Sequence, residues 1–291
     1  MPELPEVEVT RRQIEGLLVG RRIARVLTTA RSYFFLTDPR RLRRGLTGRC
    51  VTRLDRRGKY LVATLDDGKQ LLLHLGMSGQ LFAEGVTSPR LLSASARSAL
   101  TPEKQAAFAP DRHTHLQLCF EDGGPSVLMR DVRKFGKVRL LEPGESEPRL
   151  DKLGVDALEA TAEQLFRTTR GRQVEIKGLL LDQSVIAGVG NIYADECLFR
   201  AGVRPTRRAK RVTRRECDEL IRALRETLQR AIDSGGSSIS DFVAPDGRDG
   251  GYQDERCVYA RSGEPCPVCG TPIRKIVAAQ RGTHFCPKCQ R

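Results

Sequence analysis

The chain has 291 residues, 39% of them hydrophobic, enough to bury the core of one large domain or two ordinary ones. Lys and Arg number 50 against 36 Asp and Glu, a net charge of +14, which favours a polyanionic partner. No apolar run reaches the length of a membrane span, and no basic amphipathic segment with exposed Phe or Leu points to lipid, so nucleic acid ranks first.

The opening MPELPEVE lacks the basic stretch and apolar run of a signal peptide, so a reducing cytosol is expected. Residues 5–19 predict a helix. Pro5 suits its first position, Val7, Ile14, Leu17 and Leu18 share an apolar stripe, and Gly20 ends it. From Arg22 to Leu140 the period becomes two. RIARVLTT, RCVTRLDRRGKYLVATL, KQLLLHLGMSGQLF, HTHLQLCFED, SVLMRD and KVRLLE read as short strands between turn signals such as DDGK and EDGGP, predicting a β-sandwich or barrel. The Ser/Ala-rich stretch 84–112 reads as a surface insertion with a short helix opened by Thr101-Pro102-Glu103.

EPGESEPRL (142–150) reads as the start of a linker, after which the period is helical. TAEQ at 161–164 and TRRE at 213–216 match the capping-box pattern. The second opens a helix with Cys217, Leu220, Ile221, Leu224, Leu228, Ala231 and Ile232 on one face. The expectation is an α+β multidomain chain: strands with a leading helix over 1–141, a linker over 142–160, helices over 161–256 and a metal module over 257–291.

Four of the nine Cys form C-x2-C-x16-C-x2-C, as CPVC (266–269) and CPKC (286–289). Cys266, Cys269, Cys286 and Cys289 suit one structural Zn²⁺, each pair clamping one side of a tetrahedral ion with a β-hairpin between. A redox C-x-x-C is the rival, opposed by two pairs in series outside any βαβ context. His284 is a competing ligand that four thiolates make unnecessary. Arg281 falls near the hairpin tip. The remaining Cys50, Cys119, Cys197, Cys217 and Cys257 read as small core or surface residues. Gly188-Val189-Gly190-Asn191 lacks the third Gly of a dinucleotide fingerprint. It reads as a turn between helices whose N–H groups suit a DNA phosphate, or as a plain turn with Asn191 as N-cap. Arg204, Arg207, Arg208, Lys210, Arg211, Arg214 and Arg215 form a basic run, either a DNA face or a solvated segment.

In order along the chain, PELPEVE, GKYL (58–61), HLGMSG (74–79), DVRKFG (131–136), GVGNIYADE (188–196) and the four-cysteine module resemble the bacterial formamidopyrimidine-DNA glycosylases. The likeness spans nearly the whole chain apart from 84–112. It implies a β-sandwich, a helix-two-turn-helix domain and a zinc finger, with duplex DNA bound between domains. It implies a base-excision-repair glycosylase and lyase that removes oxidised purines (8-oxoguanine, formamidopyrimidines) and then cuts the abasic strand by β,δ-elimination.

By the same resemblance, Pro2 is the nucleophile once Met1 is removed, Glu3 the general acid and Glu6 a second carboxylate. Glu6 also suits a plain role at the helix dipole. Lys59 resembles the family's active-site lysine that contacts phosphate. Met77, Arg133 and Phe135 resemble the trio that fills the gap left by an extruded base, with Arg133 facing the orphaned cytosine. His74, Lys177, Asn191, Arg281 and Tyr259 resemble DNA contacts. Val132 stands where many members have Pro, and a family lysine expected near Ser240 is absent. A monomer in the bacterial cytoplasm, at the nucleoid, is expected. The alternatives are an endonuclease VIII-like enzyme for oxidised pyrimidines, whose N-terminus has Gly in place of Leu4, a non-catalytic damaged-DNA binder, and a zinc-dependent transcription regulator.

Overall fold

The computed structural model describes residues 1–86, 88, 110–238 and 242–291. Most of the 84–112 insertion, the helix read at Thr101 and Ser240 lie outside the described residues. The chain divides into two compact units, Met1–Glu147 with Ser234–Gly251, and Pro148–Asp233 with Tyr252–Arg291.

In the first unit, α1 (Leu4–Leu18) precedes two four-stranded antiparallel sheets. One has the order β1 (Ile23–Thr28), β6 (Thr114–Phe120), β7 (Val127–Asp131), β5 (Gly79–Ala83). The other has β2 (Val51–Arg57), β3 (Tyr60–Leu65), β4 (Gln70–His74), β8 (Lys137–Leu141). Leu54, Leu61 and Leu73 of one sheet pack with Val26, Leu118 and Met129 of the other, and with Ile14 and Leu18 of α1, in one core. This is the expected sandwich with its leading helix.

Two apparent strand runs each contain a turn. RCVTRLDRRGKYLVATL folds back at Gly58-Lys59, where Arg57 pairs with Tyr60. Gly58 takes φ +57°, the left-handed conformation that two-residue hairpin loops demand. KQLLLHLGMSGQLF is β4 and β5, in different sheets, joined by the turn 75–78. Period-two reading also passed over α2 (Pro39–Leu46). Asp38 caps it by accepting the Arg40 N–H at 2.9 Å, Pro39 begins it, and Leu42 and Leu46 drop into the core four residues apart.

The second unit holds α3 (Pro148–Asp151), α4 (Ala162–Arg170), α5 (Ile176–Leu181), α6 (Asn191–Arg200) and the long α7 (Arg214–Asp233). Short parallel strands β9 (Val155–Asp156) and β10 (Ile186–Ala187) pair with each other. A hairpin of β11 (Arg274–Ala278) and β12 (Arg281–Phe285) closes the chain. Both capping boxes form: Gln164 N–H donates to Thr161 Oγ1 at 3.2 Å and Glu216 N–H to Thr213 Oγ1 at 3.2 Å. All seven residues of the predicted α7 face are buried. The helical stretch was expected to run to residue 256, but Ser234–Gly251 packs with the first unit, because its backbone meets the Glu6 carboxylate there.

Candidate active site and zinc centre

At the chain start, α1 begins at Leu4, with Glu3 as N-cap and Pro5 in the second helical position rather than the first. Glu3 and Glu6 form the capping box that sets this start. Glu6 Oε2 accepts the Glu3 N–H at 2.8 Å, and Glu6 Oε1 accepts the Ser237 N–H at 2.9 Å. Gly236, at φ +85°, lies against this carboxylate: a Cβ there would stand 3.2 Å from Glu6 Cγ and 3.0 Å from Phe242 Cε1. Glu3 and Glu6 are 3% and 1% exposed, and Pro2 is buried as well. While Met1 is attached, the Pro2 nitrogen is an amide without a basic lone pair.

One turn further on, buried Glu8 accepts from Arg56 Nε at 3.0 Å as well as from Arg11 and Arg12. Burial pushes its carboxyl upward, and these guanidinium groups outweigh that and hold it below the usual carboxylate range. Arg56 also donates to the Gly58 carbonyl at 3.1 Å, so α1 is tied directly to the hairpin turn that carries buried Lys59. Neither Glu8 nor Arg56 stood out in the sequence, since their partnership spans 48 positions.

The register places Tyr60, His74 and Lys137 side by side across β3, β4 and β8. His74 packs on the Tyr60 ring at 4.6 Å between centroids. Its Nδ1 accepts the Gly76 N–H at 3.1 Å, which assigns the ring hydrogen of the neutral form to Nε2. Just beyond the sheet, the 75–78 turn and the 132–136 loop touch: a Cβ on Gly76 would fall 2.4 Å from the Gly136 nitrogen. Asp131, fully buried, organises both. Its Oδ1 accepts from Ser78 Oγ at 2.6 Å and from the Arg133 N–H at 3.2 Å, and its Oδ2 from the Gly136 N–H at 2.7 Å. Lys134 is held at φ 59°, a conformation costing a non-glycine residue about 1–2 kcal/mol. The loop so built exposes Arg133, Val132 and Phe135, the last at 48%, beside Met77 at 38%. Exposed apolar side chains on a tightly bonded loop fit insertion into a base stack, and this geometry brings the expected trio together on neighbouring turns.

In the second unit, Lys177, Asn191 and the hairpin converge. Lys177 is fully buried. Its ammonium pairs with Asp195 Oδ1 at 2.7 Å and donates to Thr283 Oγ1 at 2.7 Å and the Gly282 carbonyl at 3.3 Å. Asn191 is the first residue of α6, not its cap, which is Gly190, and its Nδ2 donates to the Gly282 carbonyl at 3.0 Å. Asp195 Oδ2 accepts the His284 N–H at 2.8 Å. Glu175 takes the N–H of Ala279 at 2.9 Å, where Ala279 and Gln280 turn the hairpin at φ 49° and 58°. That turn leaves Arg281 exposed. So this structure places Lys177 as a strut behind the hairpin and Arg281 as the outward cation. Tyr259 is half-buried, its ring edge-on to His284 at 5.2 Å and its N–H on Glu196 Oε1 at 2.8 Å. The buried Glu196 carboxylate also takes the N–H groups of Cys257 and Val258, at 2.8 and 2.9 Å. The adjacent acids of the GVGNIYADE motif thus hold β12 and the 257–259 turn, which spacing alone does not reveal. In the basic run, Arg207 and Arg214 are paired with Glu216 and Glu163, and Arg208 donates to the Gln173 carbonyl.

Cys266, Cys269, Cys286 and Cys289 place their sulfurs within 4.8 Å of one another. The Cys266–Cys289 and Cys269–Cys286 separations are 3.9 and 3.5 Å. A tetrahedral ion with Zn–S bonds of about 2.3 Å separates its sulfurs by about 3.8 Å, so the donor set fits Zn²⁺. His284 is turned to Asp195 instead, its Nδ1 3.4 Å from Oδ2. Of the other cysteines, Cys197 and Cys217 are buried, the latter thiol pushed up to about 11 by that burial. Among the described residues no helix is long and apolar enough to cross a membrane.

The chain matches three family models: the formamidopyrimidine-DNA glycosylase N-terminal domain over residues 1–138, the formamidopyrimidine-DNA glycosylase H2TH domain over 153–243, and the zinc finger found in FPG and IleRS over 263–291. It is 44% identical to the formamidopyrimidine-DNA glycosylase of Cupriavidus pinatubonensis, with all of both chains covered. The crystal structure of the MutM (FPG) protein from Thermus thermophilus is similar at a TM-score of 0.82 and 38% identity, covering 99% of this chain and 98% of that one. A Lactococcus lactis FPG mutant in complex with DNA containing Fapy-dG is similar at 0.85 and 34% identity, covering both chains in full. With sandwich, helical unit and four-cysteine hairpin all matched, this chain belongs to the formamidopyrimidine-DNA glycosylase family.

Proposed function

We propose that this chain excises oxidised purines from duplex DNA and then cleaves the abasic strand, with Pro2 as a Schiff-base nucleophile. The observation that carries the reading is the chain start, where Pro2 and Glu3 are buried and Glu6 accepts the Glu3 N–H at the head of α1. The lesion must leave the stack before its sugar can be attacked, at a cost of a few kcal/mol. Phe135 and Met77 offset part of that cost by filling the gap, while Arg133 meets the unpaired base.

Removal of Met1 converts the Pro2 nitrogen from an amide to a secondary amine. An α-amino group titrates near ~7.7–8.0 and Lys near ~10.4, so at pH 7 roughly a tenth of such an amine is neutral, far more than of a lysine. The neutral nitrogen attacks C1′ as the bond from C1′ to the base breaks, and loss of the C1′ oxygen linkage leaves an iminium. That cation acidifies the C2′ hydrogen: as this proton leaves, its electron pair forms the C2′=C3′ bond and the 3′ phosphate departs with the electrons of its C–O bond, and loss of the C4′ proton then expels the 5′ phosphate in the same way. Glu3 supplies the proton at the opening sugar ring. Lys59 and His74, at one end of the β2-β3-β4-β8 sheet, suit phosphates beside the lesion. Asn191, Tyr259 and Arg281 suit the backbone flanking it, with Lys177 holding the hairpin behind them. Zn²⁺ on the four cysteines is structural and keeps that hairpin folded.

The partner is double-stranded DNA with an oxidised base or abasic site, met in the bacterial cytoplasm at the nucleoid by a monomer. The net charge of +14 and the DNA-bound relatives support this. Lactococcus lactis Fpg has also been solved with DNA containing an oxidised pyrimidine, so pyrimidine lesions belong in the substrate panel.

Borohydride trapping tests the mechanism. Protein lacking Met1 forms a covalent adduct with an 8-oxoguanine duplex, and a chain with one extra residue before Pro2 traps at least about 100-fold less. No adduct from the first protein, or equal trapping by both, overturns the proposal.

A further inference from the structure

Tyr33 belongs to none of the sequence motifs, yet it reaches the loop that carries Arg133. It is 59% exposed, next to the buried Phe34. Its hydroxyl donates to the Arg133 carbonyl at 2.9 Å. The other end of that same peptide, the Lys134 N–H, donates to the Asp131 carbonyl at 3.4 Å. The peptide between Arg133 and Lys134 is therefore tied at both polar ends, from within the loop by Asp131 and from outside it by Tyr33. The Arg133 N–H is tied as well, to Ser78 Oγ at 3.3 Å and to Asp131 Oδ1 at 3.2 Å.

This matters because Lys134 sits at φ 59°. A non-glycine residue leaves the left-handed region readily when its peptide is free to rotate in place, and such a rotation would re-aim the preceding side chain. The Tyr33 ring is itself braced, with the Lys137 ammonium 5.1 Å over its face, while Lys137 Nζ donates to the Phe135 and Gly136 carbonyls at 3.2 and 3.0 Å. Tyr33 and Lys137 together close the outer side of the loop.

We infer that Tyr33 is a positioning residue for recognition of the base opposite the lesion: its hydroxyl locks the Arg133–Lys134 peptide and so aims the Arg133 side chain. This rests on the reading of Arg133 given above. It concerns which opposite base is accepted, not the bond-breaking chemistry at Pro2.

The test is Tyr33→Phe, which keeps the ring and its cation contact and removes one hydrogen bond at an exposed position. Single-turnover excision of 8-oxoguanine is measured opposite cytosine and opposite adenine. The rate opposite cytosine falls about 3- to 10-fold, the range of one hydrogen bond, and the cytosine-to-adenine ratio falls with it. Cleavage of a single-stranded abasic oligonucleotide, which has no opposite base, is unchanged, and so is the melting temperature. Equal losses on all substrates, or an unchanged ratio while Arg133→Ala lowers it, overturn the role of Tyr33 and leave Arg133 in place. An unchanged ratio in Arg133→Ala overturns the reading of Arg133 itself, and the inference with it.

Discussion

The 132–136 loop of the sandwich and the β11–β12 hairpin of the zinc module face the same problem with different means. Each presents exposed side chains from a turn with non-glycine residues in the left-handed region: Lys134 in one, Ala279 and Gln280 in the other. The sandwich loop sits on a deep two-sheet core, and hydrogen bonds to Asp131, Ser78 and Tyr33 suffice to fix it. Among the described residues, the hairpin is backed by a small cluster around Phe199, Val258, Ile273 and the cysteines. It draws instead on a metal site, the buried Lys177–Asp195 pair and the Glu175 and Glu196 carboxylates. A turn on a large core needs few polar anchors; one on a small module needs many, some of them charged.

That contrast breaks most sharply on removal of zinc. Structural Zn²⁺ contributes on the order of 10 kcal/mol to the folding of small fingers, so a chelator unfolds the hairpin and DNA affinity falls about 100-fold or more. The thermal transition of the sandwich stays where it was, as calorimetry would show; a shared loss of both units would erase the distinction. Next in size is Lys177→Met. Removing one partner of a buried pair leaves Asp195 uncompensated and costs about 3–5 kcal/mol in denaturant unfolding of the second unit. A loss under about 1 kcal/mol would mean that the pair is not a strut.

Asp131→Ala is expected to cost less, about 2–3 kcal/mol, since it strands the buried Gly136 N–H and takes away one of the two acceptors of the Arg133 N–H. Excision from duplex DNA then drops further than cleavage of a single-stranded abasic oligonucleotide. The smallest effect is the acid dependence of Glu8. Its carboxyl is depressed in the folded protein, so its contribution is complete above the ordinary value of 4.5 and is lost as pH falls through the folded value. In Glu8→Gln that portion of the acid titration is missing, and stability falls less steeply below pH 4.5 than in the wild type.

Local signals were legible. Both capping boxes, the apolar face of α7 and the C-x2-C pairs carry their meaning within a few residues, and the structure reproduces them. The helix α2 was missed although its cap, Asp38-Pro39, is written in the chain, because the surrounding strands set the period by which it was read. What spacing could not show are partnerships across long stretches: Glu8 with Arg56, Ser78 with Asp131, Lys177 with Thr283. Lys177 was therefore expected to reach DNA, and the structure turns it inward. A buried lysine and an exposed one look alike in a sequence; only the distant Asp195 carboxylate and Thr283 hydroxyl distinguish them.

The hydrogen bond from Ser237 to Glu6 joins residues 231 positions apart. During synthesis, the first unit can assemble its sheets long before the segment Ser234–Gly251 exists, and the Ser237 N–H meets the Glu6 carboxylate only after that segment is made. The head of α1 is made long before the segment whose N–H group it accepts. Its setting is completed only once Ser234–Gly251 has been translated, so a product truncated before that segment would carry Glu6 without this contact.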